Sequence, residues 1–225
     1  MNRVIEAKKI SRRFSTYRQD VLAVPEVSLC IDAGDLFLLT GPSGSGKSTL
    51  LNILSTLDTP STGDVILNGT HLSSCSDDDL AAIRNEQYGF VFQTPHLIPH
   101  QSVLENVLLP TLYGNEIKPK DAKTRALELL DYVGLIDAMD HYPATLSGGE
   151  LQRVVFARAL IRQPDVIFAD EPTGSLDADN SHRLLELLKD QAGSGKVVVM
   201  ATHDRVAMSY ATRSISLDKF DRDAN

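Results

Sequence analysis

The sequence predicts an α/β fold with a mostly parallel sheet, an antiparallel β flank and an inserted block of helices. A continuous apolar run, DLFLLTG (35–41), leads into a glycine-rich loop and a helical pattern, as a strand buried on both faces would. Two similar runs, DVIFAD (165–170) and KVVVMAT (196–202), return later in the chain. The region from Ser102 to Arg162 instead carries apolar residues at helical spacing.

The first part of the chain contains the predicted flank. VSLCI (27–31) alternates like a half-buried strand. KSTLLNILSTL (47–57) predicts a helix directly after the glycine-rich loop. In DVILNGTHL (64–72) the Asn-Gly pair is a strong hairpin signal. Such alternating strands favour an antiparallel arrangement beside the parallel core.

The middle of the chain is predicted to be helical apart from one strand. SDDDLAAIRNE (76–86) has acidic residues in its first turn, which is favourable at a helix N-terminus, and GFVFQ (89–93) follows as a strand. SVLENVLL (102–109) and AKTRALELLDYV (122–133) are the next helices, and Gly134 is a plausible C-cap for the second.

A third helix of this block, GGELQRVVFARALIR (148–162), has Leu151, Val155 and Ala159 on one predicted face, and Pro164 lies just beyond it. DNSHRLLELLKDQAG (179–193) is the helix between the last two apolar strands, and SISL (214–217) is a candidate final strand. We therefore predict one domain over 1–225, with core and flank in about 1–93 and 164–225 and a helical subdomain in about 94–163.

Composition limits the possible functions. The 225 residues carry a formal net charge of -8 and a pI of about 5.2, which argues against a basic nucleic-acid footprint over the whole domain. No apolar run approaches the length of about 20 residues that a membrane span needs, so a membrane role is expected to require a partner. Cys30 and Cys75 are expected to be free thiols in a reducing compartment.

The segment GPSGSGKS (41–48) fits the phosphate-loop pattern G-x-x-x-x-G-K-[ST] and lies between a predicted strand and helix. Its glycines allow backbone N–H groups to converge on phosphates. Lys47 is expected to reach the β- and γ-phosphates, and Ser48 to ligate Mg²⁺. The predicted nucleotide ligands here are Gly41, Pro42, Ser43, Gly44, Ser45, Gly46, Lys47, Ser48 and Thr49.

The segment VIFADE (166–171) supplies the acidic half of such a site. A buried strand would deliver Asp170 to its carboxyl end, where open α/β sheets bind ligands. Asp170 is expected to hold Mg²⁺ through water, and Glu171 to orient or deprotonate an attacking water. The alternative is a pair of acids that caps the next turn. Together the two motifs predict a nucleoside triphosphate hydrolase, and no N-K-x-D motif indicates a GTPase.

With these motifs in place, LSGGELQR (146–153) becomes decisive. In this order, and with His203 after the next strand, the motifs resemble the ATP-binding-cassette (ABC) family over essentially the whole chain. The resemblance implies a P-loop NTPase core of the ABC nucleotide-binding type, ATP and Mg²⁺ as ligands, and an ATP-sandwich homodimer. It also implies an integral membrane permease subunit as partner and a location at the cytoplasmic side of the cell membrane.

The resemblance also implies roles for single residues. LSGGE resembles the signature motif, with Ser147 and Gly149 facing the γ-phosphate of the other subunit. Gln93 resembles the glutamine that contacts Mg²⁺ or the attacking water, and His203 the switch histidine that holds the γ-phosphate and helps align Glu171. Phe14 resembles the aromatic residue that stacks on adenine, with Tyr17 as the alternative. The remaining residues implied to line the nucleotide are Gly148, Glu150 and Asp177 of the segment SLD.

Several stretches are similar to the lipoprotein-release and macrolide-exporter branch of this family: LDTPSTGDVILNG, RNEQYGFVFQ, HLIPHQSVLENVLLP and DEPTGSLD. The C-terminal SLDKFDRDAN departs from that branch, which puts the last strand in doubt. The alternative function is a nucleic-acid-linked or regulatory cassette ATPase outside transport. Relatives of that kind carry long coiled coils or two cassettes, whereas here only Thr94 to Thr145 separate Gln93 from the signature.

A permease is expected to dock beside Gln93. The apolar residues that follow it closely are Leu97, Ile98, Val103 and Leu104. An apolar patch there would suit a short helix of the partner. For Val103 and Leu104, burial in the subdomain's own core is an equal alternative.

Overall fold

In the computed structural model, residues 3–15, 20–114 and 117–219 are described and form two sheets with helices packed on them. The strands are β1 (Arg3–Ser15), β2 (Asp20–Asp32), β3 (Leu36–Thr40), β4 (Thr62–Leu67), β5 (Thr70–His71), β6 (Tyr88–Phe92), β7 (Val166–Asp170), β8 (Val197–Ala201) and β9 (Arg213–Ser216). The α-helices are α1 (Lys47–Leu54), α2 (Asp77–Glu86), α3 (Val103–Leu108), α4 (Pro119–Tyr132), α5 (Gly148–Leu160) and α6 (Ala178–Gly193).

The predicted flank is an antiparallel sheet with the strand order β2-β1-β4-β5. The turn between β4 and β5 explains the hairpin signal. Asn68 and Gly69 have φ values of 48° and 85°, and the tight hairpin turn needs positive φ at both central positions. This sheet places Phe14 opposite Val21 near the ends of β1 and β2.

The second sheet is parallel, with the strand order β6-β7-β8-β3-β9. Side chains alternate between its faces, which creates two cores. Leu36 and Leu38 pack with the helices α3 to α6, whereas Phe37 and Leu39 pack with α1 and the antiparallel sheet. Because the strands are parallel, their carboxyl ends all lie at one edge of the sheet. The glycine-rich loop and Glu171 follow strands at this edge.

Helix α5 is buried more completely than its periodicity predicts. Val155 and Ala159 are buried as expected, but so are residues on the other sides of the helix: Gly149, Gln152, Arg153, Val154, Phe156, Ala157 and Leu160. The reason is that α5 packs against α3, α4, α6 and β6 at once. At β6 the contact is so close that a Cβ on Gly89 would lie 2.6 Å from the carbonyl oxygen of Ala159.

The predicted fold class is confirmed. The final strand is also confirmed, because β9 pairs with β3. Strand β1, which carries Phe14, was not predicted from the sequence. Cys30 and Cys75 are free thiols. Tyr17 and residues 220–225 lie outside the described residues. Within the described ranges, no helix has the length and hydropathy needed to span a membrane. The division of the domain into core and helical subdomain stays a prediction.

Candidate nucleotide site

The glycine-rich loop between β3 and α1 has a backbone that residues with a Cβ rarely adopt. Gly41, Gly44 and Gly46 have φ values of 143°, 77° and 98°. A Cβ on Gly46 would collide with the carbonyl oxygen of Ala23 in β2. The loop can therefore close tightly around the start of α1, where unpaired backbone N–H groups and the helix dipole favour an anion.

Lys47 is buried at the base of this loop. Its Nζ donates to the carbonyl oxygens of Gly41 at 2.9 Å and Pro42 at 3.1 Å. An ammonium group has three donors, so one remains for a phosphate oxygen. Ser45 is turned inward: its N–H donates to Pro42, and its buried Oγ has no hydrogen-bond partner among the described residues. Pro42, Ser43 and Gly44 are exposed at the tip.

Ser48 and Asp170 meet directly, although 122 residues separate them in the chain. Ser48 Oγ donates to Asp170 Oδ1 at 2.9 Å. Burial raises the pKa of Asp170 above its ordinary value and the neighbouring Glu171 adds to the rise, while the bond from Ser48 and the charge of Lys47 oppose it. A cation next to this buried carboxylate, such as the predicted Mg²⁺, would stabilise its ionised form.

Glu171 begins the loop after β7 with an unusual backbone. Its φ is 44°, a conformation that costs free energy in a residue other than glycine and is commonest at functional sites. Its carboxylate accepts hydrogen bonds from Thr202 Oγ1 at 3.1 Å and the backbone N–H of His203 at 3.4 Å. His203 Nδ1 lies 2.8 Å from Glu171 Oε1. The sheet edge thus brings together Glu171, which is predicted to act on the attacking water, and His203, which is predicted to align it.

Gln93 is exposed just beyond β6 and lies beside the loop that follows Glu171, since a Cβ on Gly174 would be 2.8 Å from Gln93 Nε2. Gln152 connects the same two loops from below. It is buried in α5, and its Nε2 donates to the carbonyl oxygens of Phe92 at 2.7 Å and Pro172 at 3.1 Å. Gln152 was not predicted as a functional residue. The only available signal was that it is a polar residue inside the apolar pattern of the helix.

The LSGGE segment starts α5 with Ser147 as its N-cap. Ser147 Oγ accepts from the N–H of Glu150 at 3.4 Å and donates to Glu150 Oε2 at 2.7 Å, which forms a capping box. The two glycines differ. Gly148 is exposed and a Cβ there would meet nothing within 4 Å, whereas Gly149 is buried and a Cβ there would collide with Asn180.

Asp177 caps α6, and its carboxylate accepts from the N–H of Asn180 at 2.8 Å and from the Asn180 amide. Asn180 Oδ1 in turn accepts from Arg153 Nη1 at 2.9 Å. Asp177 and the signature helix are thereby linked within one chain. A groove of 420 Å³ runs from Glu171 and His203 toward this linkage.

Phe14 lies on β1 with 38% of its surface exposed, and the guanidinium carbon of Arg12 is 4.5 Å from its ring centroid. Its cross-strand partner Val21 lines a 230 Å³ groove that continues along the glycine-rich loop to Thr49. Phe14 is therefore near the loop at a site open to a planar ligand. Tyr17, the alternative, lies outside the described residues.

The model of the ABC transporter family matches residues 24–174, which include the glycine-rich loop, the LSGGE segment and Glu171. The chain belongs to the ABC transporter family. It is 49% identical over 190 residues to the lipoprotein-releasing system ATP-binding protein LolD of Bdellovibrio bacteriovorus, a match that covers 83% of this chain and 84% of that protein.

The macrolide export ATP-binding/permease protein MacB of Chlorobaculum tepidum is 45% identical over 214 residues, or 95% of this chain. The chain spans 33% of the length of that protein. Among solved structures, the dimeric ABC transporter cassette MJ0796 is 38% identical, with a TM-score of 0.86 over 94% of this chain and 93% of that one. A dimer of the same cassette is bound to ADP and Pi.

The residues of this ABC domain fit a nucleotide and Mg²⁺. The positive φ values of Gly41, Gly44 and Gly46 let the loop curl over the start of α1, and Ser48 with Asp170 offers the hydroxyl and carboxylate oxygens that Mg²⁺ prefers. In the described part of the chain, no three His, Cys, Asp or Glu side chains converge as a metal cluster. This is expected where substrate phosphates and water supply the other Mg²⁺ ligands.

Proposed function

We propose that this chain hydrolyses ATP to power a membrane transporter of the lipoprotein-release or macrolide-export type, and that it works as a homodimer with two ATP sites. The proposal rests on the group of side chains at the carboxyl edge of the parallel sheet. Lys47, Ser48 and Asp170 form a phosphate and cation site, and Glu171 with His203 forms a water-activating pair beside it.

In the proposed reaction, Lys47 and the loop N–H groups bind the β- and γ-phosphates of ATP. Ser48, Asp170 and Gln93 would hold Mg²⁺, which when bound would withdraw negative charge from the phosphates. Glu171 accepts a proton from the attacking water at one carboxylate oxygen. His203 and Thr202 hold that carboxylate, and the strained backbone of Glu171 turns it toward the site.

The proposed dimer places the LSGGE segment of one subunit on the nucleotide of the other. The exposed N-terminus of α5, with Ser147 and Gly148 facing solvent, supports this because free helix N–H groups bind anions. Gly149 contributes through its backbone, since its Cα faces Asn180. The predicted adenine contact is Phe14, and the predicted interface contact is Asp177.

The permease partner is proposed to dock in a groove of 310 Å³ between α2, β6 and the helical subdomain, at the cytoplasmic side of the membrane. The apolar residues that line it include Phe90, Phe92, Leu109, Pro110 and Tyr113. Of the residues expected from the sequence, Val103 is fully buried, which agrees with the alternative that it belongs to the subdomain's own core. Leu97, Ile98 and Leu104 are partly buried, and their contact with a permease stays a prediction.

A role in nucleic-acid metabolism has less support. The relatives described above are named as transporter components, and the net charge of -8 disfavours contact with nucleic acid. No nucleic-acid partner is proposed.

The experiment is purification of this chain with the membrane proteins of its own organism, followed by ATPase assays with Mg²⁺ or with a chelator. We expect a permease to co-purify and phosphate release to stop without Mg²⁺. Tyr113→Glu should abolish co-purification while the isolated protein keeps its ATPase activity. ATP turnover without any bound permease under all conditions would leave the ATPase proposal standing and overturn the transport proposal.

A further inference from the structure

Arg12 and Phe14 lie two residues apart on β1, so their side chains share one face of the sheet. The guanidinium carbon of Arg12 is 4.5 Å from the centroid of the Phe14 ring, a distance at which the cation attracts the ring face. Arg12 thereby covers one face of the ring. Since 38% of Phe14 is exposed, the area open to a planar ligand lies on the other side.

Asp58 fixes the orientation of the guanidinium. Arg12 Nε donates to Asp58 Oδ2 at 3.0 Å, and Arg12 Nη2 donates to Asp58 Oδ1 at 2.8 Å. Two parallel bonds of this kind hold the guanidinium in one plane, which a lysine ammonium cannot reproduce. Both side chains are about three quarters buried, with 24% of each exposed, so the pair is shielded from solvent more than an ordinary surface pair.

Asp58 is in turn tied to the helix that carries the phosphate site. The N–H groups of Leu57 and Asp58 donate to the carbonyl oxygen of Asn52 at 2.8 and 3.1 Å. Asn52 belongs to α1, which begins at Lys47. A continuous series of contacts therefore runs from the phosphate-binding helix through Asp58 and Arg12 to the Phe14 ring.

The strand itself has other attachments in this region. Ser61 N–H donates to the carbonyl oxygen of Ser11 at 2.7 Å, and the N–H of Arg13 donates to Ser61 Oγ at 3.0 Å. These backbone bonds hold β1 next to the loop after α1 without the Arg12 side chain. The Arg12–Asp58 pair thus acts on the ring rather than on the path of the strand.

We infer that Arg12 is a positioning residue for base recognition: anchored by Asp58, it sets the Phe14 ring at a fixed distance and tilt from the phosphate loop. This deepens the proposed function, because it rests on Phe14 as the residue that stacks on adenine. The ligand class is a nucleotide with a planar base, and the phosphate contacts do not depend on the pair.

The test compares affinity for ADP with affinity for inorganic pyrophosphate, which lacks the base, both measured by competition against a fluorescent nucleotide. Arg12→Ala, Arg12→Lys and Asp58→Asn should each weaken ADP binding by about fivefold, the loss expected when a base–aromatic stack at the weak end of the measured range is removed. Pyrophosphate affinity should not change. Arg3→Ala, which ends an exposed pair with Glu6 on the same strand, is the control and should alter neither.

The Phe14→Ala variant distinguishes the role of Arg12 from the stacking role of Phe14, on which the inference rests. If Phe14→Ala leaves ADP affinity unchanged, the stacking role of Phe14 is wrong. If Phe14→Ala weakens ADP binding but the Arg12 and Asp58 variants do not, only the positioning role fails. Equal losses for ADP and pyrophosphate would mean that the pair merely supports the fold. In the Phe14→Ala background, Arg12→Ala should have no further effect; an additional selective loss for ADP would show a direct base contact and overturn the inference.

Discussion

The glycine-rich loop and the LSGGE segment both present glycines at a helix N-terminus, but they are completed in different ways. The loop is completed within its own chain, because Ser48 reaches Asp170 and Lys47 reaches two loop carbonyls. The bonds of Ser147 Oγ stay within its own capping box with Glu150, and Gly148 faces open space.

The difference indicates that only the first region is a whole site in one subunit. The exposed N–H groups at the start of α5 can bind an anion. However, Lys47, Asp170 and Glu171 lie at the carboxyl edge of the parallel sheet, beside the glycine-rich loop that is proposed to bind the nucleotide of this subunit. A second nucleotide, held by a second subunit, is the ligand that we propose for α5.

The largest expected effect belongs to the first region. Glu171→Gln should lower the rate of ATP hydrolysis by about 10²–10⁴-fold, the contribution of a positioned general base, while ATP still binds. Lys47→Ala should instead weaken ATP binding, because Lys47 contacts the phosphates. Equilibrium binding and single-turnover hydrolysis distinguish the two variants. Near-normal hydrolysis by Glu171→Gln would remove Glu171 from the catalytic role.

The second prediction concerns a dimer in which one subunit carries a mutation in the glycine-rich loop and the other carries a mutation in the LSGGE segment. Lys47→Ala and Gly148→Asp homodimers should both be nearly inactive, because every site carries one defect. Random mixing should restore activity in about a quarter of the sites, since half of the dimers then hold one intact site of two. Gly148 is the better choice than Gly149, where any side chain would collide with Asn180 and disturb the fold.

The mixed dimer must be shown to form, for example by capture through a tag on one subunit. Single-turnover cleavage should be measured beside steady-state turnover, because hydrolysis that needs both sites at once would hide the rescue. A confirmed mixed dimer that cleaves no more ATP than either parent in both assays would exclude the trans arrangement.

The third prediction uses two similar caps. Ser147 and Ser102 both cap a helix through a capping box with a glutamate three residues later. Replacing either with alanine should cost about 1 kcal/mol in the free energy of unfolding. Only Ser147→Ala should also lower ATPase activity, by about tenfold, because a hydrogen bond to a charged phosphate is lost. Equal activity in the two variants would leave Ser147 with a capping role alone.

The sequence predicted the elements well because most signals were local. The phosphate-loop pattern, the Asn68-Gly69 turn and the acidic strand end each depend on a few neighbouring residues. Contacts between distant segments were not predictable in the same way. Nothing in LSGGELQR distinguishes the exposed Gly148 from the buried Gly149, because that depends on Asn180.

The same reason explains what was missed in and around α5. A helical period reveals one apolar face, whereas α5 is surrounded by four elements and buries Gln152 as a bridge between two loops. For Val103, a surface position and a core position were equal alternatives, because sequence spacing does not show what packs over it. The Arg12–Asp58 pair joins segments 46 residues apart and has no local signal.

The smallest expected effect is on stability. Asp170→Asn should raise the melting temperature at neutral pH without Mg²⁺, because burial makes the ionised carboxylate costly and raises its pKa above the ordinary value of an aspartate. A raised pKa in the folded state means that ionisation destabilises the fold above that pKa. The gain should therefore be complete at neutral pH and shrink as the pH falls through the raised pKa toward the ordinary pKa of an aspartate.

Thermal unfolding over a pH series measures the difference between the variant and the wild-type protein. In a protein of this size, the melting temperature rises by about 2–4 °C for each kcal/mol of added stability. Saturating Mg²⁺ and ATP should then reverse the order, because a ligand that binds only the folded state stabilises the wild-type protein and the variant has lost a ligand oxygen. A lower melting temperature for Asp170→Asn at neutral pH without Mg²⁺ would mean that Ser48 and Lys47 outweigh burial. In that case the carboxylate would be held by its own chain, and the first region would not need a cation to be complete.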